Sequence, residues 1–180
     1  MIIPIAQNIP VSLWCLSNRA NRHAATLADR HYNRQKVGAR QFVPPGRCIV
    51  LLTQERDAVW VSSYPYAEYV KHQWAGAWIC SLFRNESAHL SSGLIQQAVA
   101  VTRGIWGIPP ELGIITFVDP TKIRSTNPGY CYKQAGWQHI GQTKGGLVAL
   151  QLLLSDMPPP LAASGMQLSL FHPVMKGGIQ

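Results

Sequence analysis

Acidic residues are scarce in this chain, and charge of either sign is low. Of its 180 residues, 13% are charged, with 8 Asp and Glu against 16 Lys and Arg, so the formal net charge is +8. The shortage of acidic groups leaves a basic surface, which points to a polyanionic partner, most simply a nucleic acid. General solubility is the other interpretation of such a surface, and composition does not separate the two.

Long hydrophobic runs, a secretion signal and paired cysteines are also lacking. No apolar run reaches the roughly 20 residues of a transmembrane helix, so we expect no membrane association. The start, Met1–Ile5, has neither a basic region nor a full hydrophobic region, which argues against a signal peptide and favours the cytoplasm. Cys15, Cys48, Cys80 and Cys131 form no C-x-x-C pair, which predicts reduced thiols rather than disulfides or a zinc site.

What the chain does contain is an alternation of strand and helix patterns, which predicts one α/β domain. Strands are expected at residues 11–16, 48–53, 58–62, 77–83, 112–118, 137–141 and 147–154. Helices are expected at residues 18–32, with Ser17 or Asn18 as the N-cap, 91–102 and 128–135. A Pro-rich linker begins at Asp156, so residues 1–154 are predicted to form the domain and residues 155–180 a linker and a mobile tail.

Short polar islands interrupt the apolar sequence in the second half of the chain. In chain order they are Arg84-Asn85-Glu86-Ser87, Asp119 and Gly129-Tyr130-Cys131-Tyr132. Together with His31-Tyr32 upstream, they give acid, base and hydroxyl groups in an otherwise weakly charged chain. This set indicates an enzyme.

Asp119 and His31 are the candidate proton-transfer groups. Asp119 ends an apolar strand, where burial can raise the pKa of a carboxyl group towards a working range. Capping of the following loop is its alternative role. His31 suits a proton shuttle, or it packs at a helix end and stabilises the C-terminal dipole.

Three hydroxyl side chains complete the candidate catalytic set. Tyr32 and Tyr132 suit stacking on a base or holding a leaving group through their hydroxyls, and a packed core aromatic is the alternative for each. Ser87 suits contact with a donor or a substrate, or it caps a helix.

The order of the predicted elements resembles the GNAT acyltransferase fold. The segment Gly129–Trp137, followed by Ile140-Gly141, resembles that family's G-x-x-Y-x-x-x-G-[FW] segment, and the resemblance covers roughly residues 11–154. It implies a central mixed sheet flanked by helices. GNAT enzymes hold the coenzyme A pyrophosphate on backbone N–H groups of a glycine-bearing loop after the fourth strand. The loop here, residues 84–92, has no glycine and carries Glu86, which argues against acetyl-CoA as the donor.

A narrower resemblance is to the Mom DNA-modification proteins of bacteriophages, which are GNAT-like without an ordinary coenzyme A loop. The matching segments are Arg30-His31-Tyr32, Asn85-Glu86-Ser87, Thr116-Phe117-Val118-Asp119 and Gly129-Tyr130-Cys131-Tyr132 with Trp137. Asn85-Glu86-Ser87 is one residue shorter than the family's N-x-E-S pattern. The arginine that the family carries in the strand before that pattern falls at Cys80 or Ser81 here, so Arg84 is expected to substitute.

The Mom resemblance implies transfer of a small acyl or carbamoylmethyl-type group to adenine N6 in DNA, which protects the DNA from restriction enzymes in the host bacterial cytoplasm. The donor and any metal requirement stay undefined, with an aminoacyl-type donor open. Two other interpretations remain: an ordinary acyl-CoA N-acyltransferase acting on a small amine or a protein, and a non-catalytic DNA- or clamp-binding accessory protein.

Clustered cations predict the DNA contact. The segment 30–47 is basic and interleaved with aromatic residues, which suits binding to phosphates, although a solvated basic loop is the alternative. The candidate substrate-binding residues are Arg30, Arg34, Lys36, Arg84, Asn85 and Arg124, and further cations are Arg40, Arg47, Lys122, Lys133 and Lys144.

The tail carries one specific motif. Gln167-Leu168-Ser169-Leu170-Phe171 resembles the bacterial sliding-clamp binding peptide Q-L-[SD]-L-F over all its positions. Leucine and phenylalanine side chains suit an apolar pocket, while the glutamine suits anchoring by hydrogen bonds, and a preceding flexible linker would let the motif reach the clamp. The alternative is a terminal strand that docks on its own domain.

Overall fold

The computed structural model describes residues 11–66, 70 and 72–165. A single eight-stranded mixed sheet forms its centre, with strand order β6-β7-β5-β4-β3-β2-β1-β8. The strands are β1 (Val11–Ser17), β2 (Arg47–Thr53), β3 (Ala58–Tyr64), β4 (Trp78–Asn85), β5 (Ile114–Val118), β6 (Gln138–Gln142), β7 (Val148–Leu152) and β8 (Ala162–Ser164). The predicted α/β class with a mixed sheet and flanking helices is confirmed.

Helices cover both faces of the sheet because the strands alternate apolar side chains between the faces. The helices are α1 (Arg22–Asp29), α2 (Ser91–Trp106) and α3 (Tyr130–Gln134). On β2, Val50 and Leu52 pack in the cluster that contains α1, while Ile49 and Leu51 pack in the larger cluster that contains α2 and α3. Within the described part of the chain, no helix has the length and apolar composition to cross a bilayer.

The first helix is shorter than predicted at both ends. It begins at Arg22 because Asn21 is the N-cap, with its side chain accepting hydrogen bonds from the backbone N–H groups of His23 and Ala24. Asn18 instead closes the preceding turn, since its carbonyl accepts from the Asn21 N–H at 3.1 Å. The helix ends at Asp29, which places residues 31 and 32 in the loop that follows. The second helix runs four residues further than predicted, from 102 to 106.

The expectation that residues 155–180 form a linker and a mobile tail is wrong for residues 155–164, which we call the return segment. After a short 3-10 helix (Leu154–Asp156), this segment crosses α2 and ends in β8, parallel to β1. Met157 and Ala163 are buried in the main core, and the Leu161 N–H donates to the Ala100 carbonyl at 3.0 Å. Its apolar side chains therefore complete the domain despite its Pro-rich composition.

A cleft opens where two parallel neighbours separate. Strands β4 and β5 pair only from Trp78 with Ile114 to Cys80 with Thr116, although both strands continue in their other pairings. The pairing of β4 with β3 skips Ser81, which is the extra residue of a β-bulge. Because a bulge bends its strand, β4 turns away from β5 directly after Cys80.

Candidate active site

The cleft between the ends of β4 and β5 holds a cavity of 380 Å³. Ligands of sheets with parallel strands bind at the carboxyl ends of those strands, which is where this cavity lies. Four segments supply its lining: residues 31–33 after α1, residues 80–83 of β4, residues 116–118 of β5, and Ile123, Ser125, Asn127 and Gly129–Tyr132.

Tyr132 lies deep in this cleft. Its hydroxyl is 3.4 Å from the sulfur of Cys80, and its ring packs edge-on against Trp137 at 5.1 Å and Phe83 at 6.2 Å. Burial raises the pKa of Tyr132 well above its ordinary value and raises the pKa of Cys80 to about 12. Both groups are therefore protonated at neutral pH, and Tyr132 offers the cleft a neutral O–H.

Gly129 sets the position of α3 and so of Tyr132. It precedes the helix with φ +72°, and an added Cβ would lie 2.1 Å from Cδ1 of Leu150, a fully buried core residue. Only glycine combines this left-handed backbone with so close an approach to the core.

His31 and Tyr32 form the opposite side of the cavity. Their rings are stacked with centroids 4.4 Å apart. Burial, helped by the positive charge of Arg84, lowers the pKa of His31 to about 4, so the imidazole is neutral at pH 7. Burial also raises the pKa of Tyr32, whose hydroxyl accepts a hydrogen bond of 3.4 Å from the backbone N–H of Asp119.

The environment of Asp119 differs from the one that the sequence predicts. The expectation that burial raises its pKa is wrong: hydrogen bonds from Thr121 lower the pKa of this carboxyl group. Its Oδ1 accepts from the Thr121 hydroxyl at 2.6 Å and from the Thr121 N–H at 2.9 Å, which is the loop-capping role that we had considered as its alternative. The carboxylate is absent from the cavity lining and lies at its border, beside Tyr32.

Ser87 and Asn85 order a loop outside the cavity. The Ser87 hydroxyl donates to Oδ1 of Asn85 at 2.6 Å and accepts from the His89 N–H at 3.1 Å. The Asn85 amide donates to the His89 carbonyl at 2.8 Å and to the Ser91 hydroxyl at 3.0 Å, which ties the loop to the start of α2. Their side-chain contacts are therefore those of a helix entry.

Glu86 joins Arg30 to Arg84 beside the loop that carries His31. Arg30 makes a two-point contact with the Glu86 carboxylate at 2.7 Å, and Nε of Arg84 donates to it at 2.6 Å. Hydrogen bonds from these arginines lower the pKa of Glu86 to about 2. Arg84 also donates to the Arg30 carbonyl at 2.5 Å, so it fixes the loop that carries His31. Two cations against one anion leave this triad with a net positive charge, so Glu86 does not make the loop negative.

The three other cations predicted to bind substrate divide into one structural residue and two exposed ones. Arg34 is bound to the carboxylate of Asp29 at 2.6 Å and donates to the carbonyls of Gln41, at 2.7 Å, and Ala39, so its guanidinium holds the loop together. Lys36 and Arg124 are exposed to solvent, as a phosphate contact requires.

Several lining residues escaped sequence reasoning. Ser81 creates the bulge that opens the cleft, and no local pattern distinguishes it from an ordinary strand residue. Ile123 turns inward from a basic loop and packs against the main core. Tyr130 belongs to the G-x-x-Y-like segment. The second tyrosine of that segment was the feature of the sequence that could have identified Tyr130 as a lining residue.

Comparisons with known proteins were made at three levels. Protein-family models, curated proteins and solved structures all gave no match. The cleft therefore has to be interpreted from its own chemistry. In the residues that the structure describes, no three His, Cys, Asp or Glu side chains come together as a metal-binding group.

Proposed function

We propose that the chain is a GNAT-like transferase that modifies DNA, adding a small acyl or carbamoylmethyl-type group to adenine N6. The observation that carries this proposal is the meeting of a neutral imidazole, His31, and a buried phenol, Tyr132, in one cleft. Perturbed pKa values of facing groups in a cleft are typical of catalytic sites.

The order of elements supports the GNAT-like part of the proposal. Strand β4 is followed by the long helix α2, then by β5 and the short helix α3, as the resemblance implies. Three of the four Mom-like segments contribute to the cavity lining, with residues 31–32 after α1, residues 116–118 at the end of β5 and residues 129–132 at the start of α3. The fourth, residues 85–87, runs from the last residue of β4 into the loop outside the cavity. Protection of DNA from restriction enzymes is the biological role that this resemblance implies.

The cleft groups suit transfer to a poor nucleophile. An exocyclic amine shares its lone pair with the ring, so bond formation needs a proton acceptor and stabilisation of the charge that develops on the donor. As the new bond to nitrogen forms, the amine proton becomes acidic and passes to Nδ1 of His31, the acceptor nitrogen of the neutral imidazole. This nitrogen then gives up the hydrogen bond of 3.2 Å that it accepts from the Asn33 N–H.

The Tyr132 hydroxyl donates to the carbonyl oxygen of the donor, on which negative charge accumulates. As that charge returns to the carbon, the bond between the carbonyl carbon and the leaving group breaks. The leaving group departs with the bonding electrons and takes the proton from His31.

A second cavity, next to the first, is the proposed donor site. It has a volume of 300 Å³ and shares His31, Asn33, Ser81 and Leu82 with the first cavity. Group transfer needs two ligands that meet at the reacting atoms. His31 stands between the two cavities, so a donor in the second one reaches an acceptor in the first. Exposed Lys36 lines this second cavity, which favours a donor with an anionic group.

Replacing Tyr132 by Phe tests the proposal. We expect the modified deoxyadenosine in DNA from cells expressing the protein to fall roughly 100-fold, because one donor to a developing charge is lost. The free energy of unfolding should change by only about 1 kcal/mol, since the partners of the hydroxyl, the Cys80 thiol and the Thr116 hydroxyl, are both uncharged. Mass spectrometry of nucleosides and urea denaturation measure the two effects.

Tyr130→Phe is the matched control, because it removes a neighbouring hydroxyl that is not buried. It should leave the modification within about threefold of wild type. Unchanged modification in Tyr132→Phe would leave that residue a packing role. If the wild-type protein binds DNA but yields no modified nucleoside, the accessory-protein interpretation would replace the enzyme.

The acyl-CoA N-acyltransferase is the second candidate, and one observation favours it. Arg30 and Arg84 neutralise Glu86, so the loop after β4 does not repel a pyrophosphate. The loop nevertheless has no glycine between residues 84 and 92, and we expect weak or no binding of coenzyme A. Calorimetry decides: micromolar binding, about −8 kcal/mol, would establish this second candidate instead.

A further inference from the structure

The groups proposed for chemistry lie inside a recess. Tyr132 is 8% exposed, and His31 is partly buried behind the stacked ring of Tyr32. In duplex DNA the amino group of adenine lies on the floor of the major groove, about 8.5 Å below its rim. A concave site cannot reach an atom at the bottom of another groove, so one of the two surfaces has to change.

The mouth of the recess is aromatic. Tyr130 is 56% exposed and Tyr32 is 36% exposed, yet both line the same cavity. Exposed aromatic side chains at the entrance to a cavity suit stacking against a flat ring that enters it. The cavity volume of 380 Å³ lies near the lower end of the range for ligand pockets, about 300–1,000 Å³, which suits one base and not a base pair.

Cations stand on the loop that forms one wall of the cavity. Along this loop Ile123 and Ser125 line the cavity, whereas Lys122 and Arg124 are exposed. Neither cation forms a salt bridge with any residue that the structure describes. Asn127, also in the lining, is held at 2.5 Å by the ammonium group of Lys133. The cavity side of this wall therefore carries uncharged side chains, and its solvent side carries positive charge. Such a rim suits binding to the phosphates of a DNA backbone.

Resting on the proposed function, we infer that the cleft takes one nucleotide turned out of the DNA duplex. The extruded base enters between Tyr130 and Tyr32 and brings its amine to His31 and Tyr132. Lys122 and Arg124 bind the flanking phosphates. Base extrusion costs unpairing and unstacking energy, so binding should tighten when the partner base is already missing.

Fluorescence anisotropy tests this with mixed-sequence duplexes that place one adenine opposite either thymine or an abasic position. The wild-type protein should bind the abasic-partner duplex at least about tenfold more tightly, because no base pair has to be broken. In Tyr130→Ala the preference should fall below about threefold, whereas Tyr130→Phe, which keeps the stacking ring, should retain it.

Equal affinity of the wild type for the two duplexes would overturn the inference, as would an unchanged preference in Tyr130→Ala. Binding to single strands but to neither duplex would also overturn extrusion. Nucleoside mass spectrometry separates this result from the proposed function. If the wild type modifies adenine but binds the two duplexes equally, base extrusion is wrong and the proposed transferase stands. If it prefers the abasic-partner duplex but makes no modified base, the transferase is wrong and base extrusion stands.

Discussion

At the scale of single residues, Asp119 holds a turn beside the cleft, and its role can be separated from catalysis. Asp119→Asn keeps the oxygen that accepts from the N–H and hydroxyl of Thr121. We therefore expect the variant to keep DNA modification within about threefold of wild type. Asp119→Ala removes the acceptor and should cost about 1 kcal/mol of stability, measured by urea denaturation. A large loss of modification in Asp119→Asn alone would restore the carboxylate as a catalytic base.

His31 makes stability depend on pH in a defined direction. Its pKa falls from 6.5 to about 4 in the folded protein, so between these values the unfolded chain binds more protons than the folded one. The contribution is fully present above pH 6.5 and is lost as pH falls towards 4. We expect wild-type stability, measured by urea denaturation, to fall more than that of His31→Gln between about pH 7 and about pH 5. Parallel curves would show that His31 titrates normally.

The residues of the site were predictable to different degrees for physical reasons. Tyr132 and His31 were found because each belongs to a short polar segment of an otherwise apolar and weakly charged chain. The roles of Ser87 and Arg34 were not found from the sequence, because hydrogen bonds to backbone groups of the residue's own loop decide each role. Residue type alone does not tell whether a polar side chain faces a ligand or closes its own turn.

At the scale of elements, the contact between α2 and the return segment depends on Gly104. A Cβ at this position would lie 2.2 Å from the carbonyl oxygen of Leu161. Gly104→Ala should therefore cost roughly 1–3 kcal/mol, because backbone of the return segment has to move. Gly93→Ala is the control in the same helix: nothing lies within 4 Å of its added Cβ, and helix propensity should give a gain of up to about 1 kcal/mol.

Thermal or urea unfolding of the two variants measures this difference. Opposite signs for the two glycines are the expected outcome. Equal stabilisation by both would mean that the return segment does not rest on α2 in solution.

The seven predicted strands were all placed within two residues of their observed ends. Strands β2 to β5 and β7 are nearly continuous apolar runs, the pattern of β1 alternates loosely, and β6 was placed by the Lys144-Gly145-Gly146 turn that follows it. The start of α1 was misplaced because Asn18 and Asn21 are both good N-caps, and only the turn between them decides. Strand β8 has three residues and follows prolines, so its pairing with β1 comes from tertiary packing rather than from local preference.

At the scale of the whole molecule, recruitment to DNA is predicted to come from the tail. Residues 167–171 lie outside the described residues, and their binding to the bacterial sliding clamp stays a prediction from sequence. Replacing Leu170 and Phe171 by Ala should abolish binding to the purified clamp in calorimetry, because both apolar anchors are lost. The melting temperature and the modification of free DNA should not change. Unfolding of the double variant, or undiminished clamp binding, would make the motif structural or accidental.

The return segment also fixes where the chain can be cut. A protein shortened to residue 154 would lose β8 and the buried Met157, and it would leave backbone groups of β1 unpaired. Unprotected strand edges join other chains, so we expect this short form to aggregate, and its inactivity would reveal nothing about recruitment. A cut after Gly165 keeps all eight strands and removes residues 166–180. A protein ending there therefore tests the predicted clamp-binding motif with the described sheet left whole.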